Sequence, residues 1–148
     1  MSHDIQIFIG PKGVPSVERW QKAIDDLGFH TNLDPAADIE SHSGFWPATF
    51  DGRETGFEFR FNDVADVLAH GHAVARKVVG SKKCASFTLH GDVVEMCAAM
   101  EAAAALAKLT DGWYHYPDDD LFSDADQAVV GAREAVEFIR AHLQRSNK

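Results

Sequence analysis

The dipeptide Asp51-Gly52 lies between two runs in which large apolar residues recur at every second position, and this combination constrains the fold more than any other feature of the chain. Asp-Gly favours the two-residue type I′ turn, whose twist matches that of antiparallel strands. A hairpin closed there sets Phe50 opposite Arg53, Ala48 opposite Thr55 and Trp46 opposite Phe57. In that register Phe57, Phe59 and Phe61 share a face with Trp46, while Glu58 and Arg60 point the other way, as a sheet covered on one side requires. The aromatic stripe is therefore assigned to a core.

The remaining periodicities supply what packs on that sheet. Ile5, Ile7 and Ile9 alternate as a half-buried strand ended by Gly10-Pro11-Lys12-Gly13. Val17, Trp20, Ile24 and Leu27 then recur at helical spacing, with Ser16 as N-cap and Gly28 as stop. Residues 29–33 read as a strand, 34–44 as a polar connection, and Asn62 to about Val79 as a helix weakened by Gly71. Ala85, Phe87 and Leu89 alternate again. Asp92 and Glu95 open an Ala-rich helix in the manner of a capping box, and Gly112 is read as its stop. Trp113 to Tyr116 form a short aromatic strand, and Pro117 to Asp120 a turn. Val129, Ala132, Val136, Ile139 and Leu143 mark a last helix, with Asp124 and Asp126 at its start and Arg140 and Arg145 near its end, as the helix dipole favours. The expected fold is α+β: a two-layer sandwich of a mainly antiparallel sheet against about four helices, in one domain spanning residues 1–148. Strand-helix-strand occurs at 5–33 and again at 84–116, which allows a pseudo-duplicated arrangement.

Composition narrows the class of partner. A chain of 148 residues buries enough surface to fold without disulfides, and its two cysteines, Cys84 and Cys97, are read as buried and reduced. No apolar run approaches the roughly 18 residues that span a bilayer. The N-terminal segment lacks a basic region and a long apolar stretch, so the expected compartment is the cytoplasm and no membrane is involved. The net charge of −9 disfavours nucleic acid and favours a cationic partner.

Motifs for chemistry are few. His70 and His72, two apart on an expected helix, point roughly 200° from one another and cannot share an ion. Asp118, Asp119 and Asp120 lack the alternate spacing, central Gly and distal Glu of a calcium loop. Neither cysteine is expected at a helix N-terminus, where a thiolate is favoured, and Cys84 and His90 on one strand lie too far apart to pair. Gly10-Pro11-Lys12-Gly13 lacks the patterns of phosphate loops. No catalytic residue, metal site or cofactor is assigned.

Three segments together carry a resemblance: Phe87-Thr88-Leu89-His90-Gly91-Asp92, then Ala102 to Lys108, then Thr110 to Asp118. This succession of strand, Ala-rich helix and aromatic strand resembles small acidic α/β immunity proteins encoded beside bacterial polymorphic toxins, including those of type VI secretion and contact-dependent systems. The resemblance implies a cytoplasmic protein that binds a cognate toxin and covers its functional surface, without catalysis. Residues suited to that contact are Asp118, Asp119, Asp120, Asp124 and Asp126, with Trp113, Tyr114 and Tyr116 as aromatic anchors beside them. Trp113 and His115 must face opposite to Tyr114 and Tyr116. Two alternatives stand beside this reading. One is a small cytosolic enzyme with a cleft lined by acids and by histidines drawn from His30, His42, His70, His72, His90 and His115, with or without a metal. The other is a homo-oligomeric regulatory or structural module.

Overall fold

The computed structural model describes residues 3–64, 83–117 and 121–146. In chain order the elements are β1 (His3–Phe8), α1 (Val17–Asp26), β2 (Thr31–Leu33), β3 (Gly44–Phe50), β4 (Arg53–Asp63), β5 (Lys83–Leu89), α2 (Val93–Thr110), β6 (Trp113–Tyr116), β7 (Leu121–Asp124) and α3 (Ala125–Ser146). The seven strands form one sheet in the order β2-β3-β4-β5-β1-β6-β7, every neighbouring pair antiparallel. The class is α+β. Three helices occur among the described residues where about four were expected. The helix expected from Asn62 to Val79 falls mainly outside them, and Asn62 and Asp63 belong to β4. The two strand-helix-strand units are not equivalent. β5 and β6 flank β1 as a split β-α-β unit, whereas β1 and β2 lie with three strands between them.

The hairpin forms in the expected register: Phe50 opposes Arg53, Ala48 opposes Thr55 and Trp46 opposes Phe57. Asp51 and Gly52 both take positive φ, 50° and 77°, as a type I′ turn demands. Trp46, Phe57 and Phe59 are fully buried in one cluster with Trp20 of α1 and Phe87 of β5. Trp20 stands edge-on to Trp46 at 5.3 Å, and its indole N–H donates to the Ala102 carbonyl at 2.9 Å, so one side chain ties α1 to both the sheet and α2. All three described helices contribute to this cluster, on the face of the sheet that carries Ile5 and Ile7. α2 is buried on nearly every side, and its alanines let the sheet, α1 and α3 approach closely. The opposite face is not simply solvated. Phe8, Val64 and Cys84 are buried there, with Trp113 and Phe122 packed on them, so β1 is half-buried as its alternation implied along Asp4 to Ile7 and is covered on both faces only at Phe8.

Helix ends follow the local sequence with two differences. Ser16 caps α1 by accepting from the Arg19 N–H, and Asp92 caps α2 by accepting from the N–H groups of Val94 and Glu95. Glu95 reaches the His90 N–H at 2.8 Å instead of closing a reciprocal box on Asp92. At the other end of α2 the left-handed residue is Asp111 (φ 57°), not Gly112. Gly112 answers a different need, since a Cβ there would lie 2.2 Å from the Phe8 carbonyl oxygen. The bare backbone is what lets the chain turn from α2 into β6 alongside β1.

Candidate functional site

β7 joins the aromatic strand to the last helix, and Asp124 and Asp126 stand at the start of that helix as the sequence reading expects. Asp124 ends this strand, which the periodicity does not reveal, and caps α3. Its Oδ1 accepts from the Gln127 N–H at 2.8 Å, while Gln127 Oε1 accepts from the Asp124 N–H at 3.3 Å, a reciprocal capping box. Asp126, in the first turn of α3, pairs with Lys108 at 2.6 Å. Asp118, Asp119 and Asp120 lie outside the described residues. The aromatics divide by face as strand geometry requires. Trp113 packs with Phe8 and Cys84, and His115 is buried beside it, joined to Gln6 Oε1 at 3.0 Å and stacked on Phe122 at 4.2 Å. Tyr114 and Tyr116 turn to the helix side.

There the two tyrosines line a cavity of about 300 Å³ between the β6–β7 end of the sheet and the helices. Its sheet wall adds Ile5, Leu89, Leu121 and Ser123; its helix wall is Met96 and Met100 of α2 and Gln127, Ala128, Gly131 and Ala132 of α3. Burial holds the Tyr114 phenol above its ordinary range, so the hydroxyl stays neutral at physiological pH.

The outward face of α3 is the second component. Its buried stripe, with Ala128, Val129, Ala132 and Val136, faces the core and leaves Val130 and Phe138 outside, 53% and 74% exposed. Glu134 and Glu137 are exposed on that same outer side, and among the described residues neither pairs with a cation. Arg133 and Arg140 of α3 turn back onto the body. Arg133 donates to the Leu27 carbonyl at 2.7 Å and stacks over Phe29, while Arg140 donates to Asp51 Oδ2 at 2.7 Å. The helix therefore presents an aromatic ring beside two carboxylates that no described cation pairs. The sequence held a signal for this: Phe138 falls off the apolar stripe that defines the helix.

A third group is buried and polar. Glu101, the one acid in the middle of α2, is wholly inaccessible; its Oε1 accepts from the His30 N–H at 2.9 Å and the Thr31 hydroxyl at 2.7 Å, and its Oε2 has no partner. Desolvation raises its pKa, against the opposing pull of those two hydrogen bonds. Burial also pushes both thiols up to about 12, which keeps Cys84 and Cys97 unreactive. The described histidines do not converge. His30 lies 3.7 Å from Asp51, His42 bonds the Phe45 carbonyl, His90 lies 3.3 Å from Glu58, and His115 is joined to Gln6 and stacked on Phe122. His70 and His72 lie outside the described residues. Among the described residues no three His, Cys, Asp or Glu side chains are grouped to hold a metal ion, and no helix is long and apolar enough to cross a membrane. The chain matches no protein-family model, no curated protein and no solved structure.

Proposed function

We propose that this chain is a non-catalytic protein-binding inhibitor, an immunity protein that neutralises a basic bacterial toxin in the cytoplasm by seating the outer face of α3 over the toxin's functional surface. The observation that carries this reading is Phe138, 74% exposed on a helix that buries Val129 and Val136, with Glu134 and Glu137, unpaired among the described residues, beside it. An exposed aromatic is the type of residue that anchors an interface, and surrounding charge of one sign steers and selects an oppositely charged partner. The net charge of −9 adds a long-range field of the same sign. A rigid support is present too, because α3 is clamped to the hairpin tip through Arg140 and Asp51 and to the end of α1 through Arg133.

The test is protection. The chain is co-expressed in a bacterial host with the product of each reading frame adjacent to its gene, and growth is followed. One of those products is expected to arrest growth alone and to be tolerated when the chain is present. The triple variant E134K/E137K/F138A is expected to lose that protection while remaining folded by circular dichroism. Full protection by the triple variant, or no toxic neighbour, overturns the reading. A growth effect that depends instead on an intact histidine would return the chain to the enzymes.

A further inference from the structure

Among the described residues the carboxylates beside Phe138 are unpaired, although α3 carries cations at the spacing that would neutralise one of them. Arg133 lies four residues before Glu137 and Arg140 three after it, positions where a helix brings charged side chains together. Elsewhere the chain makes such a pair, Lys22 with Asp26 at 2.8 Å. Here both guanidinium groups are committed to the body instead, Arg133 to the Leu27 carbonyl and Arg140 to Asp51, each at 2.7 Å. Glu134 has Val130 and Phe138 as its neighbours four residues away, and neither is a base. Two acids on the outward face are thus left for an incoming cation. A neutral surface laid over them would strand charged acceptors away from water, which costs more than stranding neutral ones. The occupant must therefore bring donors, and it must also cover the exposed ring of Phe138, one helical turn from Glu134. A guanidinium meets both demands at once, because its plane lies flat on a ring while its edge donates N–H groups to a carboxylate. An ammonium is a compact, strongly hydrated charge with no plane to stack. The chain makes the same use of arginine internally: the Arg133 guanidinium sits 5.6 Å from the centre of the Phe29 ring while it donates to the Leu27 carbonyl.

We propose that the basic partner places an arginine on the outer face of α3, its guanidinium stacked on Phe138 and donating to Glu134, with Glu137 adding attraction from the flank. This assignment rests on the docking reading and names the side chain that meets the ring. The probes are the peptide acetyl-Gly-Arg-Gly-Arg-Gly-Arg-amide and its lysine counterpart of equal charge, each titrated into the full chain at low ionic strength and followed by amide chemical shifts. Saturable shifts are expected at Glu134, Glu137 and Phe138, with the arginine peptide binding at least about threefold tighter than the lysine peptide. Phe138→Ala is expected to bring the two affinities within about 1.5-fold of each other, whereas Phe138→Trp, which keeps a ring, retains the preference. Glu134→Gln is expected to weaken the arginine peptide at least about threefold. Phe138 and Glu134 are both exposed, so these changes leave the core untouched. Equal affinity for the two peptides, an arginine preference that survives Phe138→Ala, or shifts confined to other acidic surfaces overturns the proposal. A chain that neutralises its toxin yet shows no arginine preference ends this inference and leaves the docking reading intact. A preference that depends on Phe138, in a chain that neutralises nothing, overturns the docking reading and leaves the arginine site standing.

Discussion

Replacing Glu101 by alanine leaves two donors without an acceptor at the place where α1 hands over to the edge strand. Its Oε1 serves both the His30 N–H and the Thr31 hydroxyl, and Thr31 is buried. An orphaned buried donor costs about 1–3 kcal/mol, so E101A is expected to lose about 2–5 kcal/mol. Glu101→Gln keeps the accepting oxygen and removes only the ionisation. The pH dependence separates the two effects. The folded-state pKa of Glu101 lies above its ordinary 4.5, so the native state holds the proton to higher pH than the unfolded chain. The stability this proton contributes is fully present below about pH 4.5 and is lost as pH rises through the folded-state value. Urea unfolding of wild type and E101Q from pH 4.5 to 8 should therefore show the difference moving in favour of E101Q with rising pH, since other carboxylates cancel in the comparison. A flat difference, or an E101A loss below about 1 kcal/mol, would refute the reasoning, because both follow from inaccessibility and from those two hydrogen bonds.

Other substitutions test the frame that holds the site. Gly112→Ala should destabilise by about 3 kcal/mol, the upper end for overpacking, because its Cβ meets the Phe8 carbonyl; equilibrium unfolding measures this. Asp111→Gly relieves a left-handed residue and should raise Tm by about 2 °C in a calorimetric scan. Gln21 closes the exposed edge of β2, its amide donating to the Thr31 carbonyl at 3.0 Å and accepting from the Leu33 N–H at 2.7 Å. Gln21→Ala should cost about 1–2 kcal/mol and, by freeing the edge, increase association seen by light scattering.

What the sequence made legible were features settled by neighbours along the chain. The register of β3 on β4 follows from Asp51-Gly52 and a period of two, and the start of α1 from Ser16 ahead of Val17, Trp20 and Ile24. Tertiary features were harder. Leu121-Phe122-Ser123-Asp124 has too little alternation to announce a strand, and becomes one because β6 offers an edge for it. Asp124 was read as a helix-start acid, and it is one, yet its carboxylate is engaged in the cap. Gly112 looked like a helix stop because glycine commonly is; the requirement came from β1, a hundred residues away. Glu101 stood out in principle as a lone acid amid alanines, but only the meeting of α2 with β2 gives it partners. Of the residues expected to form the contact, the described ones split across both faces of the sheet, and the more exposed aromatic proved to be Phe138.

The central claim is that the outer face of α3 is the docking surface, and affinity for the cognate toxin at two salt concentrations tests it most directly. Phe138→Ala is expected to weaken binding at least about thirtyfold, corresponding to a hot spot of about 2 kcal/mol, and E134K/E137K to slow association and flatten its dependence on salt. The control E40K/E54K makes the same change in net charge at two other exposed acids and should leave affinity within about threefold of wild type, since charges away from a contact act only through the screened long-range field. Equal losses from both charge reversals, with Phe138→Ala binding like wild type, would contradict the account.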